Sequence, residues 1–127
     1  MIYSFDITTP ENTAETAPLR TTVKLARGII HQVDIDFPPG PAGLLRVAIE
    51  LGAHRLWPST GNAWFRGDDR LISFPEWFPL LWPPYTLDIV TWNADTEYSH
   101  IVIVRFGILE ERYASRRFGG AGRGGWI

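Results

Sequence analysis

Apolar and polar residues alternate along much of this chain, and no window of helical length keeps a 3.6-residue period. Between Ile29 and Phe37 the odd positions are apolar except for His31, while most of the even positions are polar. A period of two is typical of a half-buried β-strand. The same alternation returns over residues 45–51 and 85–92. The sequence therefore predicts an all-β fold.

Turn-forming residues separate these stretches. Pro38–Gly43 follows the first strand and Asn93–Glu97 follows the third, so we expect residues 29–51 and 85–109 to form two antiparallel hairpins. Residues 98–109 are apolar on both faces, which predicts a central strand covered on both sides, where Arg105 needs a partner. Weaker strand candidates are Ile2–Ile7, Thr21–Ala26, Arg55–Trp57 and Arg70–Phe74. Seven or eight short strands predict a single antiparallel β-sandwich with a jelly-roll or immunoglobulin-like connection.

The segment Phe74–Tyr85 combines five aromatic residues with four prolines. Proline lacks the N–H that a sheet ladder needs and blocks a helical turn, so this segment should be neither a helix nor a central strand. We expect an extended connector whose prolines keep it out of any ladder. Leu80, Leu81 and Trp82 should cap the sandwich, which leaves Trp77 and Phe78 to meet another chain.

The chain divides into one body and two terminal segments. Residues 20–110 form the sandwich, residues 1–19 an N-terminal strand or arm with an acidic linker, and residues 111–127 a basic, glycine-rich tail. The first eighteen residues hold three acids and no base, whereas residues 112–127 hold four arginines and no acid. Opposite charges at the two ends could steer head-to-tail assembly, with two solvated tails as the plain alternative.

Composition excludes several classes of function. The chain has no Cys, which removes disulfides and thiolate zinc sites, and its net charge of -2 argues against a nucleic-acid partner despite the Arg-Gly pattern of the tail. No signal peptide or membrane span is visible at the start of the chain. We expect no cofactor.

Metal and catalytic sites also lack a pattern. The histidines have no metal-binding spacing, and the paired carboxylates lack the dense oxygen ligands of a calcium loop, so solvated side chains are the expected interpretation. These residues are His31, His54, His100, Asp34, Asp36, Asp68 and Asp69. No nucleophile or phosphate-loop motif is present, and a carboxylate pair is the remaining catalytic possibility. The candidates for such a pair are Glu50, Asp68, Asp69 and Glu76. We predict that the protein is not an enzyme.

Tryptophans are the stronger functional signal. Four of the six fall within twenty-six residues, at Trp57, Trp64, Trp77 and Trp82. Loop tryptophans on a sandwich could stack sugar rings, with polar contacts from Asn62, Arg66 and Asp68. Tryptophan and arginine are equally the residues of protein–protein hot spots, and core packing is the plain alternative.

Three segments resemble the small β-sandwich proteins that coat or decorate phage particles: Pro18–Thr22, Phe37–Leu45 and Leu56–Ser59. The resemblance implies a structural role in a virion, in which the protein binds copies of itself and neighbouring structural proteins. A carbohydrate-binding module is the alternative function. The predicted protein-interface residues are Trp64, Trp77, Phe78, Arg112, Arg116, Arg117, Phe118, Arg123, Trp126 and Ile127.

Overall fold

The computed structural model describes residues 1–110, which form eight β-strands and no helix. In chain order these are β1 (Ile2–Thr9), β2 (Leu19–Lys24), β3 (Gly28–Phe37), β4 (Leu45–Leu51), β5 (His54–Trp57), β6 (Arg70–Leu80), β7 (Thr86–Asn93) and β8 (His100–Leu109). The all-β prediction is confirmed, and every weaker strand candidate is a strand. The predicted tail at residues 111–127 lies outside the described residues.

The strands form two four-stranded antiparallel sheets that pack face to face. The first sheet has the order β1-β8-β3-β6 and the second has the order β2-β7-β4-β5. Strand β1 pairs with β8, β2 with β7, β3 with β6 and β4 with β5. This is a long hairpin folded over into two Greek keys, so of the two predicted connections the structure shows the jelly roll.

The two predicted hairpins are wrong. Strands β3 and β4 lie in different sheets, and so do β7 and β8. Residues 38–44 and 94–99 connect them. Each of these loops is long enough to cross the roughly 10 Å between packed sheets, so the chain changes sheet where a shorter turn would keep it in one.

A β-bulge at His31 changes which side of β3 enters the core. The register of β3 against both neighbours shifts between Ile30 and Gln32. The extra residue turns Ile30 inward, and it is 0% exposed together with Val33 and Ile35. Simple alternation puts Ile30 on the polar face and His31 on the apolar one, and for these two residues that prediction is wrong.

The proline-rich segment is mostly an edge strand. Strand β6 lies at the end of the first sheet, where Pro75 pairs opposite Gln32 and Pro79 opposite Ile29. An edge strand tolerates proline because the missing N–H can face away from the ladder. The segment is neither helix nor central strand, as predicted, but the expectation that its prolines exclude it from every ladder is wrong.

The N-terminal segment is a sheet strand and not an extended arm. Strand β1 pairs with β8 from Ile2, opposite Gly107, to Thr9, opposite His100. The following loop is also held, because the N–H of Asn12 donates to the Asp95 carbonyl over 2.9 Å. The acidic linker is thus an ordered crossing between the two sheets.

Strand β8 is central, as predicted, but only its inner face is fully buried. Val102, Val104 and Phe106 are 0% exposed, whereas Ile101 on the outer face is 38% exposed. Arg105 also faces outward and finds the partner it needs, since its Nη2 donates to Asp36 Oδ2 over 3.2 Å. The outer face of the first sheet is therefore open.

Candidate functional site

The two sheets differ in how their outer faces are covered. On the second sheet, Ala48 of β4 lies opposite Val90 of β7, and both point away from the core. They are nevertheless only 0% and 1% exposed. Small apolar residues on an outer face are buried in this way when longer neighbouring side chains lie across them.

Stacked arginines and tryptophans form part of that cover. The Arg46 guanidinium lies 4.9 Å from the centroid of the Trp92 ring, and Trp64 meets Trp92 edge-on at 6.1 Å. Arg55 lies 4.7 Å from the Trp64 ring, whose Nε1 donates to Glu15 over 3.1 Å. Cation–π and edge-to-face contacts hold both rings. Burial lowers the pKa of the Arg46 guanidinium, as expected for a covered cation.

An ionic network covers the other half of the same face. Glu50 accepts from Arg20 over 2.8 Å and from Arg55 over 3.2 Å. Arg20 also reaches Asp88 over 3.2 Å, and Asp88 accepts from the Thr22 hydroxyl over 2.7 Å. The outer face of the second sheet is therefore covered by side chains of its own strands together with the loop residues Glu15 and Trp64.

The outer face of the first sheet has no comparable cover within residues 1–110. Three of its apolar side chains are well exposed: Ile2 at 76%, Leu71 at 53% and Ile101 at 38%. Trp77 is partly buried, and strand alternation places it on this face too, since its neighbour Phe78 points inward. Exposed apolar residues gathered on one face are typical of an interaction surface.

Carboxylates lie among these apolar side chains. The β1–β8–β3 register aligns Asp6, Ile103 and Asp36 in one row across the sheet, and Asp34 lies in the next row. Asp34 accepts from the Ser73 hydroxyl over 2.6 Å and from Gln32 Nε2 over 3.1 Å. We call this outer surface of the first sheet the open face. It combines apolar and acidic side chains with one arginine, and its residues are Ile2, Asp6, Asp34, Asp36, Leu71, Trp77, Ile101, Ile103 and Arg105.

A shallow cleft of about 250 Å³ lies at one end of the sandwich. It is lined by Thr8, Pro38, Pro39, Pro41, Ser99, His100 and Ile101. The Nε2 atom of His100 lies 2.7 Å from Asp95 Oδ2. Asp95 also accepts the backbone N–H groups of Glu97 and Tyr98, so its carboxylate shapes the loop that enters β8.

The neighbouring Asp68 has a similar role. Its carboxylate accepts the N–H groups of Gly40 over 2.7 Å and Ala42 over 3.1 Å. These bonds lower the pKa of Asp68, with the Ala42 N–H as the largest cause. Asp68 therefore holds the loop between β3 and β4. This is a loop-ordering role that sequence reasoning missed, because residues 28 positions apart meet only after the jelly roll closes.

The predicted aromatic site residues separate in the structure. Trp64 is part of the arginine–tryptophan stack, whereas Trp77 lies on the open face. Phe78 packs edge-on against buried Trp57 at 5.8 Å, so it serves the core. Trp82, expected to cap the sandwich, is instead 73% exposed, while Leu80 is buried as predicted.

The remaining predicted interface residues lie outside the described residues. They are Arg112, Arg116, Arg117, Phe118, Arg123, Trp126 and Ile127.

Three of the four candidate catalytic carboxylates, Glu50, Asp68 and Glu76, have structural partners. Glu76 accepts from the Trp57 indole over 3.0 Å, and Glu50 binds two arginines. Residues 1–110 hold no cluster of three or more histidines and carboxylates that could bind a metal ion. Within the same residues there is no helix long and apolar enough to cross a membrane.

Comparison with protein-family models, curated proteins and solved structures finds no match to this chain. The geometry of the two outer faces is therefore the basis for a functional proposal.

Proposed function

We propose that this protein is a non-enzymatic structural subunit of a repeated protein assembly, and that the open face is one of its contact surfaces. The observation that supports the proposal is the contrast between the two outer faces. Arginines and tryptophans of the chain cover one face, while the other exposes isoleucine, leucine and tryptophan beside carboxylates. Exposed apolar side chains interspersed with charged ones are compatible with a protein interface, whose contacts combine apolar and polar groups.

A viral particle is the assembly that we favour. The jelly roll is the fold of many viral capsid domains, and the sequence resembles phage coat and decoration proteins. Fold alone does not determine function, since lectin domains use the jelly roll as well. The open face adds a surface suited to binding copies of the same chain and neighbouring structural proteins.

Oligomeric state tests this proposal. Sedimentation velocity on the full chain over a wide concentration range should show association, and the variant L71K/I101K should shift the protein toward monomer. The matched control L51K/Y98K places two lysines at exposed apolar residues outside the open face and should leave association unchanged. A wild-type protein that stays monomeric throughout would contradict the proposal.

Carbohydrate binding is the second candidate, and Trp82 is the observation that favours it. Its indole is 73% exposed, as a sugar-stacking platform requires. Intrinsic fluorescence titrations with a panel of glycans separate the two functions. A monomer whose emission responds to a glycan, and whose W82A variant does not, would support the carbohydrate-binding module over the assembly subunit.

A further inference from the structure

We infer that the open face binds residues 111–127 of a second copy of this chain. The inference rests on the proposed function and names the partner of its contact surface. It connects the uncovered face of the first sheet with the basic segment that follows β8.

The sign of the net charge changes between residues 1–110 and residues 111–127. Residues 1–110 contain thirteen Asp and Glu and eight Lys and Arg, whereas residues 111–127 contain four Arg and one Glu. The body is thus acidic and the segment after it is basic. Complementary charge on two parts of one chain favours contact between copies and sets its orientation.

Two carboxylates of the open face lack a cationic partner among residues 1–110. Asp6 is exposed and makes no salt bridge there, and Asp34 accepts hydrogen bonds only from the neutral side chains of Gln32 and Ser73. Asp36 already binds Arg105. Carboxylates without a cationic partner are good acceptors for guanidinium groups, which donate two parallel N–H groups.

Apolar groups match as well as charges. Leu71 and Ile101 are exposed beside the carboxylates, and Trp77 lies on the same face. Residues 111–127 carry their arginines together with Phe118, Trp126 and Ile127. Aromatic and arginine side chains in one segment, facing aliphatic and acidic side chains on a sheet, form the usual hot-spot combination of a protein interface.

Reach permits contact with a second copy, and the repeated assembly of the proposed function is the reason to prefer it over the same copy. The row containing Asp6 and Asp36 pairs with Ile103, six residues before the end of β8 at Leu109, or about 20 Å along the strand. A tail must reverse direction to return over that row of its own sheet. A tail that continues past β8 can extend as far as roughly 56 Å over 17 residues, which is enough to cross a neighbouring face.

The inferred contact joins two different parts of the chain, because each copy offers one face and one tail. Two copies that exchange tails reciprocally close into a two-fold dimer, whereas a tail passed on to the next copy builds a ring or a filament. The second arrangement is the one that an extended assembly needs.

A charge swap in the full-length chain tests the inference. The face variant D6K/D34K makes the open face basic, and the tail variant R116E/R117E makes the tail acidic. Each variant alone should associate about tenfold more weakly than the wild type, because face and tail then carry the same sign. An equimolar mixture should recover association to within about threefold, because each tail meets an oppositely charged face.

The control is E11K/E97K, which changes the net charge as much as the face variant does, at exposed loop residues away from the open face. It should associate like the wild type. Thermal unfolding by circular dichroism shows that each variant is folded before its sedimentation is interpreted.

The possible failures are distinguishable. If the wild type associates but the swapped mixture does not recover association, this inference is overturned while the proposed function stands. If the control and the face variant associate more weakly than the wild type to the same extent, the inference is also overturned, since net charge alone would explain the weaker association. A wild-type protein that is monomeric at every concentration would contradict both the proposed function and this inference.

Discussion

The hydroxyl of Thr9 donates to the hydroxyl of Thr91 over 2.7 Å, and this bond joins the two sheets. Thr9 ends β1 in the first sheet and Thr91 lies in β7 of the second. Both residues are 0% exposed, so water cannot replace either partner. A hydrogen-bonded polar pair in a mostly apolar core fixes how β1 packs against β7.

The two single substitutions at this pair should together lower the unfolding free energy by more than the double substitution does. T9V and T91V each leave a buried hydroxyl without its partner, which costs about 1–3 kcal/mol of unfolding free energy. The double variant T9V/T91V leaves neither and should lose much less than the sum. Urea unfolding of the four proteins measures this coupling, and additive losses would show that the bond contributes nothing specific.

Gly28 opens β3 at a position with no space for a side chain. A Cβ atom there would lie 2.6 Å from the carbonyl oxygen of Leu109 and 2.8 Å from Cγ2 of Ile108. The carbonyl belongs to the paired strand β8 and cannot move without breaking the ladder. We expect G28A to destabilise the protein by about 1–3 kcal/mol in chemical denaturation.

Gly61 provides the matched control for Gly28. A Cβ atom at Gly61 would meet nothing within 4 Å. G61A should change the unfolding free energy by less than about 0.5 kcal/mol. Equal losses from the two substitutions would contradict the importance of the close approach at β8, because the lower unfolded-chain entropy of alanine favours folding at both sites.

Most strands were predictable from the sequence, whereas the second half of β6 and the strand pairing were not. Alternation locates β3 and β4 to within one residue at each end because burial on one face repeats every two residues. Strand pairing depends on which loops cross between the sheets. The proline- and glycine-rich composition of residues 38–44 suits a turn within one sheet as well as a crossing between two, so it does not distinguish them. The bulge at His31 is a one-residue event that alternation alone does not reveal.

The candidate site was predictable in part. Asp34 and Asp36 share one strand face by simple alternation, and the need of Arg105 for a partner is met by Asp36. The stack of Arg46 on Trp92 needs the register between β4 and β7, which no local pattern gives. Trp82 was expected to cap the sandwich, but its apolar character alone does not determine burial, and its side chain is 73% exposed.

The ion pairs on the second sheet should differ in strength with their exposure. In the Glu50–Arg55 pair the side chains are 13% and 14% exposed, whereas Arg20, which contacts Asp88, is 44% exposed. Double-mutant cycles to alanine should give a coupling of about 1 kcal/mol for the first pair and about 0.3 kcal/mol for the Arg20–Asp88 pair. Raising the salt concentration should weaken the second more. Similar couplings would indicate that burial does not control these contacts.

Stability should depend on pH through Asp95. Hydrogen bonds from the Glu97 N–H, from His100 and from the Tyr98 N–H lower the pKa of Asp95 in the folded protein. A carboxylate with a lowered pKa stabilises the fold fully above its unfolded pKa, near 3.9, and loses that contribution as the pH falls through the lower folded value. D95N should therefore have a lower urea midpoint than the wild type at pH 7.

The difference between D95N and the wild type should then shrink below about pH 4, because the wild-type carboxyl becomes neutral as well. Urea titrations at several values between about pH 7 and pH 2.5 measure this convergence. E97Q, which removes one negative charge from the same loop but keeps the Glu97 N–H that Asp95 accepts, should stay close to the wild type at neutral pH. A constant gap between D95N and the wild type at every pH would show that loop geometry, and not the charge of Asp95, holds the entrance to β8.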